Sequence, residues 1–223
     1  MELAVSRLPA RKKFQGFKGE AGKRLFESKS LSKPTENIGI LMEAWEKHAA
    51  SLSRPESNPY SGGPHPQVEL ELDLFRTNIT AQEIEQLSIL LKQFEGIPGF
   101  ESAAGNFLSG LINISSSESF ILHTRHFRFP LFGLGNSSSK HITIDGPAGD
   151  WAGAGMKGTM IVEGKVRDGA GIRSEGRLVI CGDAGMLLGQ NMKENGIIEI
   201  EGEFESLGEN IKGKIYHRGK QII

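Results

Sequence analysis

A chain of 223 residues, 38% of them hydrophobic, can hold one sizeable domain or two small ones, and its formal net charge of −1 excludes a whole-molecule electrostatic argument for a nucleic-acid partner. The single cysteine, Cys181, excludes an internal disulfide and points to a reducing, cytoplasmic setting. No apolar run approaches the length of a membrane helix and no signal-peptide pattern is present, so a protein without membrane attachment is expected.

Residues 1–33 carry nine Lys or Arg against Glu2, Glu20 and Glu27, with few apolar residues between them. That composition reads as a solvated or partner-docked basic arm; the sharper alternatives are a nucleic-acid arm or a targeting peptide, and the glutamates count against an acid-poor transit sequence. A short amphipathic helix follows. Thr35 can cap it, and Ile38, Leu41, Met42 and Trp45 recur at helical spacing to about Ala50. Ser53–Pro66 has four prolines and Gly62-Gly63, which is linker chemistry and ends a first region, 1–66.

Region 67–100 reads as a strand and a helix. Val68, Leu70, Leu72 and Leu74 alternate with acidic residues, the pattern of a strand with one buried face. Thr80-Ala-Gln-Glu83 is a capping box, after which Ile84, Leu87, Leu90, Leu91 and Phe94 line one side of a helix ended by Gly96 and Pro98. This unit is expected to cap the N-terminal end of whatever follows.

The remainder, 101–223, is dominated by a repeat. Ile142-Thr-Ile-Asp-Gly146, Met160-Ile-Val-Glu-Gly164, Leu178-Val-Ile-Cys-Gly182, Ile198-Glu-Ile-Glu-Gly202 and Ile215-Tyr-His-Arg-Gly219 close on glycines at steps of 18, 18, 20 and 17 residues. In the first four segments apolar residues stand two and four positions before the glycine, and strand alternation puts them on one inward face. A step of this length suffices for one closed coil of short strands, each pairing in parallel with the next: a parallel β-helix. Gly135, which stands before Gly146 as Gly153 stands before Gly164, marks an irregular earlier rung whose strand Phe120–Phe127 can supply.

A second signal sits inside each step: Gly153-Ala-Gly155-Met-Lys-Gly158, Gly171-Ile-Arg173-Ser-Glu-Gly176, Gly189-Gln-Asn191 and Gly208-Glu-Asn210-Ile-Lys-Gly213. Glycine and asparagine suit left-handed corners; Arg173 has no backbone reason to be there. The first of these matches the G-x-G-x-x-G dinucleotide fingerprint, but a strand rather than a helix follows it and it recurs every turn, which argues against nucleotide binding.

At these residues the chain resembles a known family. Asp150-Trp-Ala-Gly-Ala-Gly-Met-Lys-Gly-Thr-Met-Ile-Val-Glu-Gly164 is similar to the repeat of the GXGXG proteins, which include the β-helical subunit of formylmethanofuran dehydrogenase and the C-terminal domain of the glutamate synthase large subunit. Gly213–Ile223 is similar to the ending of the formylmethanofuran dehydrogenase branch. The resemblance implies a right-handed parallel β-helix, here with about 18-residue rungs and a small α/β N-terminal cap. It also implies a non-catalytic subunit of a hetero-oligomeric one-carbon oxidoreductase whose molybdenum or tungsten pterin and iron–sulfur clusters belong to other subunits. The alternatives are the GXGXG subunit of a glutamate synthase or N-methylglutamate synthase assembly, and a stand-alone, self-associating β-helix.

The residues themselves offer no catalytic constellation, cofactor site or metal site. No nucleophile elbow, Walker loop, thiolate cluster or His-Glu-x-x-His is present. His123 and His126 have the spacing of a metal pair, but strand alternation separates them and no acidic cluster adjoins them in sequence. Asp145, Glu163 and Glu201 are expected on a solvated outward ladder, Cys181 beside them, and His217 inward on a terminal rung. Thr143, Ile161, Val179, Glu199 and Tyr216 form the other outward ladder, and its apolar members Ile161, Val179 and Tyr216 are the candidate interface with another segment or subunit.

Overall fold

Six short strands, each paired in parallel with the one before it in the chain, organise the fold: β1 (Ser119–His123), β2 (His141–Asp145), β3 (Thr159–Val162), β4 (Arg177–Ile180), β5 (Ile197–Ile200) and β6 (Lys214–His217). Sequential parallel pairing requires the chain to complete a turn between strands, so the computed structural model is a parallel β-solenoid. It describes residues 36–52 and 78–223, all within the unit Thr35–Ile223. The basic arm, the Pro/Gly linker and the strand expected at Val68–Leu74 lie outside the described residues.

The register follows the apolar alternation. Phe120, Ile142, Met160, Leu178, Ile198 and Ile215 stack as one inward column, and Leu122, Ile144, Val162, Ile180 and Ile200 as the next, with His217 on top. Every apolar member is at most 2% exposed. β1 supplies the expected earlier rung, paired Phe120 to Ile142. Beyond β6 the chain turns back through Arg218 and Gly219, both at positive φ, and β7 (Lys220–Gln221) pairs antiparallel with β6.

The corners are left-handed at Gly153, Gly155, Gly171, Gly189, Asn191 and Asn210, as expected, and at Arg173 as well, with φ +55°. A further set of left-handed residues, Gly133, Trp151, Gly169 and Leu187, stands two positions earlier in each turn. In four successive turns three alternate residues are thus left-handed, at 151, 153 and 155 for example, whereas the last turn keeps only Asn210. Gly158, Gly176, Gly208 and Gly213 are different: none has positive φ. They are glycines because adjacent turns touch there. A Cβ on Gly158 would lie 2.1 Å from the Lys140 carbonyl oxygen, and one on Gly208 would lie 2.4 Å from Gln190 Cα.

Among the described residues three helices precede the coil: α1 (Glu36–Leu52), α2 (Ala81–Leu90), continued by a 3-10 turn (Leu91–Phe94), and α3 (Phe100–Ile114). The Thr80–Glu83 capping box is formed at the start of α2. α3 occupies the first residues of the region assigned to the coil from 101, so the coil itself begins at Ser119; Phe100, Ala103, Ala104, Phe107, Leu108, Leu111 and Ile112 bury one helical face. Trp45 of α1 is fully buried against the rings of Phe94, Phe100 and Phe107, a packing role. Among the described residues no helix is long and apolar enough to cross a membrane.

α2 and α3 close the N-terminal end of the coil. The His123 amide donates to Ser88 Oγ (3.1 Å), the Gly135 amide to Ser109 Oγ (2.9 Å) and the Phe132 amide to the Glu101 carbonyl (3.0 Å). A first rung would otherwise leave such groups unpaired. Contact is close enough that a Cβ on Gly105 would lie 1.7 Å from the Phe132 carbonyl oxygen.

Candidate functional site

Among the described residues a connected group of titratable side chains lies where α2 meets the first rungs. β1 ends at His123, its register partner Asp145 ends β2, and Glu85 projects from α2. His123 Nε2 is 3.0 Å from Glu85 Oε1, and Nδ1 is 3.1 Å from Asp145 Oδ2. Arg125 donates from Nε to Asp145 Oδ1 and from Nη2 to Glu163 Oε2, the latter at 3.0 Å. One network therefore ties a helix to three successive rungs.

Its electrostatics fix its chemistry. The bond to Glu85 raises the His123 pKa above the ordinary histidine value; burial opposes this and Asp145 adds to it. Burial pushes Asp145 upward, but the bonds from Arg125 and His123 outweigh it and leave the carboxyl below its usual range. Carboxylates face both ring nitrogens, and only the imidazolium can donate from both. A histidine held in this way has no free lone pair with which to accept a proton from a substrate. The network is a clamp, not a general base.

Asp145 therefore departs from expectation: it is 8% exposed and doubly paired rather than solvated, and Glu163 is bridged to it through Arg125. Neither contact is legible in sequence, because the partners are 20 to 38 residues apart in the chain. His126 is not beside His123 in this network. It lies in the following turn, its ring 4.2 Å from that of Phe127, and burial, with Lys92 nearby, lowers its pKa. Among the described residues no group of three or more His, Cys, Asp or Glu side chains is arranged to hold a metal ion.

The candidate interface is altered at its centre. Val179 is only 2% exposed, while Ile161 and Tyr216 are half-buried, so the ladder presents no open patch around Val179. Arg177, two residues earlier on the same face, reaches Glu199, the register partner of Val179, at 2.7 Å. Cys181 is half-buried. His217 takes the inward position in register with Ile200, where Nε2 meets the Gly202 carbonyl at 2.9 Å and the ring packs edge-on to Phe204.

No family model, curated protein or solved structure matches this chain.

Proposed function

We propose that the chain is a non-catalytic scaffold subunit of a cytoplasmic, hetero-oligomeric oxidoreductase, of the kind implied by its likeness to the β-helical subunit of formylmethanofuran dehydrogenase. The observation that carries this reading is the corner geometry. Left-handed residues alternate at 151, 153 and 155, at 169, 171 and 173, and at 187, 189 and 191, which gives backbone meaning to the G-x-G-x-G pattern on which the likeness rests. The charge clamp at His123 supports the non-catalytic part, since its titratable groups are engaged in holding the cap to the coil. On this reading, metal-pterin and iron–sulfur chemistry resides in partner subunits. The same corners favour, as a second reading, the GXGXG subunit of a glutamate synthase or N-methylglutamate synthase assembly.

Mild affinity purification from the native host, with subunits identified by mass spectrometry and metals assayed, tests both. Co-purification with a pterin-metal subunit and an amidohydrolase-like subunit is the expected result. An amidotransferase and a flavoprotein would move the assignment to glutamate-type synthesis. Recovery of the chain alone, or only with itself, would overturn both readings.

A further inference from the structure

Helix α2 is tied to β1 through a single residue of the strand, and the two halves of that tie differ in kind. Ser88 Oγ accepts the His123 amide proton at 3.1 Å while donating its own to the Glu85 carbonyl at 2.6 Å. Glu85 Oε1 lies 3.0 Å from Nε2 of the same histidine, and on the far side of the ring Nδ1 is 3.1 Å from Asp145 Oδ2. One imidazole therefore stands between the cap and the second rung with a carboxylate at each nitrogen. The other charged groups nearby are engaged elsewhere. Arg125 holds Asp145 and Glu163, Glu83 of α2 accepts from Thr80, and His126 lies within electrostatic reach of Lys92 and Glu95.

A neutral imidazole has only one N–H to give, so loss of the proton forces a choice between the two carboxylates. They are not equivalent. The Asp145 side chain is 12% exposed and its Oδ1 is already taken by Arg125, so Oδ2 would lose its donor where water replaces it poorly. The Glu85 side chain is 36% exposed and can turn Oε1 to solvent. We infer that deprotonated His123 keeps its proton on Nδ1, stays bound to Asp145 and releases Glu85, which makes the residue a pH-controlled latch between cap and coil. The bare Nε2 lone pair then faces a carboxylate, and the outward swing of Glu85 relieves that repulsion. The Ser88 bond does not titrate, and Ile84 and Leu87 remain buried, so α2 loosens without leaving the coil. Glu85 foremost, with Asp145 adding to it, holds the ring charged against its burial, so the latch opens above the ordinary histidine value.

Nitrogen NMR of the full chain, following the His123 ring from about pH 5 to about pH 9, tests this. The expected result is a proton on both ring nitrogens at the acid end and on Nδ1 alone at the alkaline end. A proton on Nε2 alone would overturn the proposal, because Glu85 and not Asp145 would then keep the ring, and so would a ring that holds one protonation state throughout. Hydrogen exchange at the His123 amide, corrected for its intrinsic pH dependence, gives a second readout. It should quicken by about two- to tenfold across the same transition, the worth of one hydrogen bond. Glu85→Gln should remove the step by holding on, since its side-chain oxygen accepts from the charged ring and its amide donates to the neutral one. Glu85→Ala should remove it by letting go, with the faster rate at both ends of the range. A step that survives in Glu85→Ala would show that another contact senses the pH and would overturn the latch.

Discussion

Ser109 Oγ accepts the amide proton of Gly135 at 2.9 Å, so that one helical hydroxyl takes the place of the rung that the first turn of the coil lacks. The same oxygen lies 2.8 Å from the Gly105 carbonyl and 3.0 Å from that of Gly133, and its single proton serves one or the other at a time. Ser109 is 3% exposed, so water cannot replace it. Ser109→Ala is expected to leave the Gly135 amide unsatisfied and to cost about 1–3 kcal/mol, read as a lower urea midpoint. An unchanged midpoint would show that the cap is held by apolar packing alone.

His123 makes a pH prediction with a definite sign. Its folded pKa is raised from 6.5, so its contribution is complete below that value and is lost as pH rises through the folded pKa. Asp145 has a folded pKa lowered from 3.8; its contribution is present above 3.8 and is lost as pH falls through the folded value. His48 and His126, whose pKa values burial lowers, work in the opposite direction to His123 near neutrality, losing stability as pH falls below 6.5. The net trend of the whole protein therefore hides the clamp. The stability difference between wild type and His123→Gln should be largest between the two ranges and should shrink as pH rises above 6.5. Urea melts of both proteins from about pH 5 to about pH 9 check this. A difference that grows with pH would mean that His123 is neutral in the fold.

What sequence conveyed and what it withheld divide along the range of the interactions involved. Ile142, Ile144 and their successors could be placed because a strand alternates every second residue and the alternation recurs in each turn. Arg173 could not be understood alone, because its left-handed conformation is imposed by the turns that Gly155 and Asn191 stack beside it. Trp151 and Leu187 escaped notice in the same ladder because their side chains share nothing with glycine except the backbone angle. α3 did carry a signal, since Phe100, Ala103, Ala104, Phe107, Leu108, Leu111 and Ile112 have helical spacing. Gly105 and Ser109 blur it, and both are there for contacts with the coil rather than for the helix. The His123 clamp had no local signature, as it joins α2, two strands and a turn.

Ile180 sits midway up the inward column, fully buried between Val162 and Ile200. Ile180→Ala removes buried carbons from a stack whose neighbours are fixed by backbone bonds on both sides and cannot close the gap. A loss of about 2–5 kcal/mol is expected in a denaturant melt. A loss below about 1 kcal/mol would show that the column relaxes around the cavity or that the residue is not stacked.

The left-handed corners allow a stabilising substitution to be distinguished from a damaging one at a single exposed site. Arg173 has φ +55°, and its side chain is exposed. Glycine there relieves the cost of placing a Cβ in the left-handed region, about 1–2 kcal/mol, against a loss of about 0.5–1 kcal/mol from the greater freedom of the unfolded chain. Arg173→Gly should therefore be neutral or stabilising by up to about 1.5 kcal/mol, and Arg173→Val should destabilise, since a β-branched residue tolerates positive φ worst. Glycine at 173 completes the pattern that Gly153 and Gly155 set one turn below, whereas alanine at Gly158, where a Cβ would meet a carbonyl oxygen at 2.1 Å, cannot be accommodated without separating two turns. Thermal melts of the three variants should fall in the order Arg173→Gly, Arg173→Val, Gly158→Ala, from most to least stable. A melt in which Arg173→Gly is clearly less stable than wild type would mean that the arginine side chain, and not the backbone, is what this corner requires.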